Sequence, residues 1–304
     1  MPFLSYNPEN YSTISFPTFG LKLNPDRIID LGVFQFRWYG LIIAVGLLLA
    51  VVYGLRRSKK FGLLQDDIVD GVLWIVPFAI ICARLYYCIF SWADYKADPI
   101  SVLYIWEGGL AIYGGVIGAL LGVLLFCRVK KVSTGAVLDL VALGFLIGQS
   151  IGRWGNFFNR EAFGSEITSN FFLRMGLENM HSGVVTYFHP TFLYESLWNL
   201  VGFIGLHILS KYRKYDGQIA LGYVAWYGLG RALIEGLRTD SLYWGPFRVS
   251  QLLAAVSCAS ALTVLAWKWY RGHDNCVLYV NKVAALEETE EEQSQEIEEQ
   301  TDEE

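Results

Sequence analysis

The densest polar chemistry in the sequence is the run Gly152-Arg153-Trp154-Gly155-Asn156-Phe157-Phe158-Asn159-Arg160-Glu161-Ala162-Phe163-Gly164. Arginines, asparagines and a glutamate crowd together where an apolar stretch of helical length ends. An arginine near hydrocarbon costs roughly 2.5–3.5 kcal/mol at a helix centre on insertion scales. A planar guanidinium that grips a phosphate at two points makes that cost useful. The asparagines can hold headgroup oxygens, and the glycines allow tight backbone turns. A lone arginine here would read as a side chain snorkelling to the interface. A cluster of this density points instead to a bound anionic lipid head.

Four further segments carry candidate chemistry. In Tyr227-Gly228-Leu229-Gly230-Arg231-Ala232-Leu233-Ile234-Glu235-Gly236-Leu237-Arg238, Arg231 and Glu235 are four apart and share a helix face. They read either as an ion pair pinning two helices or as a second phosphate-facing arginine with a carboxylate positioning it. Trp106-Glu107-Gly108-Gly109-Leu110-Ala111-Ile112-Tyr113-Gly114-Gly115 and Arg37-Trp38-Tyr39-Gly40 each place a tyrosine at the start of an apolar run, where an interfacial belt residue is the plain alternative. His189-Pro190-Thr191-Phe192-Leu193-Tyr194-Glu195 offers His189 as a base or a cap. Arg84 and Asp139 lie inside apolar runs, where ionisable groups usually face a bundle interior. The five cysteines are scattered with no CxxC, so neither a disulfide framework nor a zinc site is expected. No metal, cofactor or nucleic-acid partner is expected.

The elements that must position these groups are membrane spans. Hydrophobic residues make up 54% of the chain, mean hydropathy is +0.35, and ten Trp and eighteen Tyr suit interfacial belts. Seven runs approach or exceed the length that crosses a bilayer, at about 38–55, 68–91, 109–127, 136–152, 190–210, 217–236 and 249–269. Basic residues follow every odd run: Arg56, Arg57, Lys59 and Lys60; Arg128, Lys130 and Lys131; Lys211, Arg213 and Lys214; Lys268 and Arg271. By the positive-inside rule these share the cytoplasmic side. The expectation is an all-α, polytopic membrane protein with seven transmembrane helices, N-terminus outside and C-terminus cytoplasmic. The long loop at about 153–189 then lies outside.

No cleavable signal peptide is expected, because the first 35 residues lack a basic start followed by a short apolar core. Of the 29 acidic residues, 11 fall after Leu286; the other 18 face 24 basic ones, so the body is positive and the tail strongly negative. Residues 1–285 are expected to form the membrane-embedded domain. Residues 286–304, with little apolar surface to offset ordering entropy, are expected to form a disordered cytoplasmic tail.

These segments together resemble the prolipoprotein diacylglyceryl transferase family. The run from Gly152 to Gly164 is similar to the family pattern G-R-x-G-N-F-x-N-x-E-x-x-G at every fixed position. RWYG, EGGLAIYGG, HPTFLYE and YGLGRALIEGLR match family segments in the family's order, over about residues 30–270. The resemblance implies transfer of a diacylglyceryl group from phosphatidylglycerol to the lipobox cysteine of a prolipoprotein signal peptide. A thioether forms and glycerol phosphate leaves, in the bacterial cytoplasmic membrane. It implies Arg153 and Arg231 as phosphate-binding and catalytic arginines, and Glu235 as the acidic partner of Arg231. Asn156, Glu161 and Gly164 are signature positions, Tyr39 and Tyr227 the tyrosine positions, and Asp139 is matched by spacing. His189 belongs to HPTFLYE and is taken as substrate-binding. Tyr113 stands where many members carry a histidine proposed as a base.

The substrate thiol has a reference pKa of about 8.5, so a proton must be removed and an electropositive site helps. Tyr113, Tyr39, Glu235 or His189 could relay it. Two other classes stay open on the residues alone: a transporter or channel for an anionic small molecule or lipid, and an intramembrane protease built on Asp70 and Asp139.

Overall fold

A computed structural model of the chain describes residues 8–30, 32, 35–96, 98–238, 243–272 and 276–302. Helices run over Trp38–Arg57 (α1), Gln65–Phe90 (α2), Trp92–Tyr95 (α3), Ile112–Lys130 (α4), Thr134–Asn159 (α5), Thr191–Leu209 (α6), Gln218–Ile234 (α7), Val249–Arg271 (α8) and Tyr279–Asp302 (α9). Among the described residues, six helical segments are long and apolar enough to cross a bilayer: Trp38–Phe61, Gln65–Phe90, Ile112–Lys130, Thr134–Asn159, Thr191–Tyr212 and Val249–Arg271. They coincide with six of the seven expected spans. The run expected near 217–236 is α7, whose 17 residues make it shorter than those six. A short 3-10 turn, Glu235–Leu237, continues it.

The chain is mostly helical but not all-α, which corrects the expectation. Strands Tyr11–Phe16 (β1), Leu21–Leu23 (β2), Met175–Asn179 (β5) and Val185–Phe188 (β6) form a four-stranded antiparallel sheet in the order β2-β1-β5-β6. Ile28–Asp30 (β3) pairs with Gln35–Arg37 (β4), and Tyr243–Trp244 (β7) with Phe247–Arg248 (β8). These strands are two to six residues long, too short for a span-length hydropathy pattern to register. The central pairing, Ile14 with Leu177, also joins segments that are remote in sequence.

The chain folds as two compact units. One comprises Met1–Ala50, Ala142–Arg213 and Ile219–Gly272. Its aromatic core packs the sheet onto the end of α5 and the start of α6. Tyr11, Ile14, Phe16, Leu177 and Phe188 come from strands, Phe157 from α5, Phe163 from the turn after it, and Phe192 from α6. Fully burying such side chains contributes about 1.5–3 kcal/mol each, so this core fixes the polar turn that runs through it.

The other unit comprises Val51–Val141, Lys214–Gln218 and His273–Glu304. Here α2 and α4 lie against each other through small residues. A Cβ on Gly118 would sit 2.4 Å from Cys82 Cβ and 3.1 Å from Ala79 Cα, so the approach requires glycine. Arg84 on α2 is buried. It donates to five backbone carbonyls of the loop that leads into α4: Ser101 (2.7 Å), Val102 (2.8 Å), Tyr104 (3.3 Å), Gly108 (2.7 Å) and Gly109 (3.1 Å). A guanidinium can do this because its five N–H donors fan out in a plane.

The acidic stretch, expected to lack order, has helical backbone within α9. Glutamate and glutamine are good helix formers, and the helix start is tied where Tyr279 N donates to Asp216 Oδ2 at 2.9 Å.

Candidate active site

The site is assembled within the first unit where three segments meet edge to edge. After α5, Gly164 N donates to His189 O at 2.9 Å, and Ser165 N to Leu237 O at 2.6 Å. His189 N donates back to Ser165 O at 3.2 Å. Gly164 therefore lies between His189, two residues before α6, and the turn following α7. A Cβ on it would sit 2.7 Å from His189 Cβ and 3.1 Å from Leu237 O, which is why this position takes glycine. This junction brings together the C-terminal end of α5, the N-terminal end of α6 and the C-terminal end of α7.

At that junction the charged side chains converge on Glu195, a residue of α6 that is 4% exposed. Arg153 Nη2 lies 2.5 Å from Glu195 Oε2. Arg231 Nη1 and Arg238 Nη1 lie 3.1 and 3.2 Å from Glu195 Oε1. Arg231 Nη2 pairs in turn with Glu235 Oε2 at 2.6 Å, so the expected i,i+4 ion pair forms. Among the described residues, three guanidiniums thus share two buried carboxylates. Removing an ion from water costs several kcal/mol, so such a cluster persists only if nearly every charge is partnered.

The signature turn extends this network. Arg153 Nη1 reaches Asn156 Oδ1 at 3.4 Å, and the amides of Asn156 and Asn159 both donate to Glu161 Oε1 at 3.1 Å. Arg160 and Ala162, on either side of Glu161, adopt left-handed φ values of 55° and 54°. That region disfavours residues with a side chain, so the turn carries strain that its partners must hold. Arg160 supplies part of the hold and does not join the ionic cluster. It donates to Ser12 O (2.6 Å), Phe158 O (2.9 Å), Asn24 Oδ1 (3.0 Å) and Pro25 O (2.8 Å), clamping the N-terminal segment onto the turn.

The remaining expected residues divide by unit. Tyr39 lies against the signature helix, since a Cβ on Gly155 would sit 2.5 Å from its Cδ2. Tyr227, one turn before Arg231, stacks on Tyr223 at 5.7 Å and 16°. With Glu195, Trp198, Asn199, Gly230, Arg231 and Ile234 it lines a small cavity of about 10 Å³. His189 places Nδ1 3.3 Å from the Tyr194 hydroxyl, and burial pushes its imidazole below the ordinary value.

Asp139 and Tyr113 belong to the second unit. The Asp139 carboxylate is buried and accepts from Gly217 N at 2.9 Å, a loop-fixing bond. Tyr113 is the second residue of α4 and part-exposed, just beyond the loop that Arg84 holds. Asp70, the other half of the protease alternative, pairs with Lys130. Glu195 and Arg238 lie within the motifs but outside the set of expected site residues. The available signal is a carboxylate four residues inside an apolar span, which is costly unless it meets cations.

With this geometry in view, comparison with known proteins decides the class. A family model described as prolipoprotein diacylglyceryl transferase matches residues 26–267. The chain belongs to the prolipoprotein diacylglyceryl transferase family. Among its relatives, the phosphatidylglycerol–prolipoprotein diacylglyceryl transferase of Limosilactobacillus reuteri (strain DSM 20016) is 44% identical over 260 residues, 83% of this chain and 93% of the relative. The one of Ligilactobacillus salivarius (strain UCC118) is 44% identical over 254 residues, 82% and 94% of the two chains. The one of Listeria monocytogenes (strain EGD-e) is 43% identical over 244 residues, 79% and 88%.

The hub role of Glu195 is testable by stability. Glu195→Gln leaves three guanidiniums around a neutral amide and is expected to cost about 3 kcal/mol, the scale of a broken buried pair. Glu178→Gln, which breaks the exposed pair with Lys22, is expected to cost under about 1 kcal/mol. Thermal unfolding in detergent compares them; equal, small shifts would show that Glu195 is not the hub.

Proposed function

We propose that this chain transfers the diacylglyceryl group of phosphatidylglycerol to the lipobox cysteine of prolipoproteins, the first step of lipoprotein maturation. The observation that carries the reading is the cluster itself. Guanidiniums from α5, α7 and the turn after α7 are gathered on one carboxylate, beside a small cavity. Such an arrangement suits a phosphodiester. The names of the relatives support the substrate pair, and family membership favours a transferase over a transporter or channel.

In the proposed reaction the cysteine sulfur attacks the diacylglyceryl carbon that carries the phosphate ester oxygen. A C–S bond forms, the C–O bond breaks, and glycerol phosphate leaves with that oxygen while the thiol proton passes to a base. Arg153 and Arg231 act by binding the phosphate and stabilising the charge that grows on it, an effect that is strong in a dry site. Glu235 positions Arg231. Asn156 and Glu161 orient Arg153, Gly164 holds the junction, and Tyr227 lines the headgroup cavity. Tyr39 packs the signature helix, and Tyr113 donates a proton or hydrogen bond to the reacting groups. Burial favours the neutral form of His189, and its backbone supports the junction. Asp139 serves by fixing the loop before α7.

We place the protein in the bacterial cytoplasmic membrane. α7 serves as a seventh span, and the signature turn lies outside. Residues 1–285 form the transferase domain and α9 an accessory cytoplasmic tail. The basic residues after alternate spans support this orientation. A cysteine introduced at Ser165 is expected to react with an impermeant reagent in intact cells, and one at Lys130 is not; the reverse pattern contradicts the orientation.

The activity itself is tested with purified protein, phosphatidylglycerol and a lipobox peptide, by mass spectrometry of the peptide. A diacylglyceryl adduct is expected. Arg153→Lys is expected to lose at least about 10²-fold, since lysine keeps the charge but not the two-point grip. Tyr113→Phe is expected to lose roughly 10²-fold, the scale of a lost donor or proton-transfer group. Wild-type turnover in Arg153→Lys would contradict bidentate phosphate binding, and wild-type turnover in Tyr113→Phe would show its hydroxyl to be idle.

A further inference from the structure

The cavity beside Arg231 contains a polar atom that the ionic cluster does not use. Asn199, on α6, is 2% exposed, lines the cavity, and its Oδ1 is buried with no hydrogen-bond partner. A buried, unpaired amide oxygen is a standing cost, and in a native protein it calls for an explanation. Its position supplies one. Asn199 follows Glu195 by four residues on α6, and Tyr227 precedes Arg231 by four on α7. The two helices run antiparallel through this region. Glu195 meets Arg231, and three residues on, the stacked indoles of Trp198 and Trp226 each donate to the other's carbonyl, at 3.0 and 2.9 Å. Asn199 and Tyr227 therefore stand one helical turn, about 5.4 Å, from the level of the Glu195–Arg231 pair.

We infer that Asn199 Oδ1 accepts a hydrogen bond from a hydroxyl of the headgroup glycerol, and so selects phosphatidylglycerol among phosphatidyl lipids. This rests on the function proposed above. The phosphate sits at the level of Arg231, and the glycerol hydroxyls lie three and four bonds beyond the phosphate ester oxygen, within one helical turn. The acceptor needs a donor that the site tolerates. An ammonium headgroup would donate too, but the one carboxylate lining the cavity, Glu195, is already engaged by three guanidiniums, so a further cation there meets Arg231 without a free anion. A thiol is a weak donor. A neutral hydroxyl joined to a phosphate satisfies both the amide oxygen and the guanidinium. A site built to pair with a hydroxyl rejects the analogue lacking it, because its own polar atom is then stranded.

The test compares phosphatidylglycerol with phosphatidylpropanol of identical acyl chains, which keeps the phosphate and omits both headgroup hydroxyls. Diacylglyceryl transfer to a lipobox peptide is measured as kcat/KM for each lipid. Wild-type protein is expected to prefer phosphatidylglycerol by at least about tenfold. Asn199→Leu, close in volume but without the acceptor, is expected to bring the ratio near one, and Asn199→Ser is expected to retain part of it. A wild-type ratio near one overturns the inference whatever the variants do, since a water would then satisfy the amide equally with either lipid. An unchanged ratio in Asn199→Leu overturns it as well. Either result leaves the transferase reading standing. Absence of transfer from both lipids in wild type overturns that reading and the inference with it.

Discussion

A carboxylate that is almost wholly buried, on a helix of membrane-spanning length, must be met by cations or be protonated. Glu195 is met by three. That constraint organises the first unit, because Arg153, Arg231 and Arg238 come from three different segments and can reach one carboxylate only if those segments end at one place. The backbone bonds from Gly164 and Ser165 to His189 and Leu237 bring them there. The left-handed turn around Glu161 sets how α5 enters the junction, and Arg160 and the aromatic core keep that turn in place. Much of what surrounds the cluster can be understood as the means of holding its charges together.

On the proposed function, the same cluster shows how a protein can keep phosphate-binding groups in a low-dielectric place without substrate. Glu195 and Glu235 partner the guanidiniums at rest, and on the proposed mechanism an entering phosphate takes over part of that partnership. On the proposed mechanism the entering diester carries one negative charge, and the departing glycerol phosphate carries more. Interactions that strengthen as charge grows lower the barrier rather than merely tightening binding. The cavity next to Arg231 adds a neutral, directional contact at Asn199, and a neutral hydrogen bond can distinguish headgroups that charge alone does not.

The parts of this arrangement that are legible in the sequence are those written in local pattern. Six spans follow from hydropathy at bilayer length, and the Arg231–Glu235 pair follows from helical spacing. α7 follows from the same pattern, but at 17 residues it is the least distinct of the expected spans. The sheet is not legible, because β1 pairs with β5 from far along the chain and no described strand is long enough to stand out. Glu195 does not stand out in the sequence because its meaning depends on arginines that lie about 40 residues away on either side. The two signature arginines look alike in sequence, yet one binds carboxylate and the other backbone carbonyls. Asp139, matched to the family by spacing alone, is a buried acid that accepts a backbone amide from far along the chain, a partnership that spacing does not reveal.

The central claim is that Arg153 and Arg231 exchange carboxylate for phosphate when substrate enters. A cryo-EM structure of the detergent- or nanodisc-held protein with bound phosphatidylglycerol measures this as a distance. The account predicts the phosphorus within hydrogen-bonding reach of both guanidiniums, with phosphate oxygens about 2.7–2.9 Å from their nitrogens, and at least one of the present Arg153–Glu195 and Arg231–Glu195 contacts lengthened. A bound lipid whose phosphate lies elsewhere, with the Glu195 contacts intact, would contradict it.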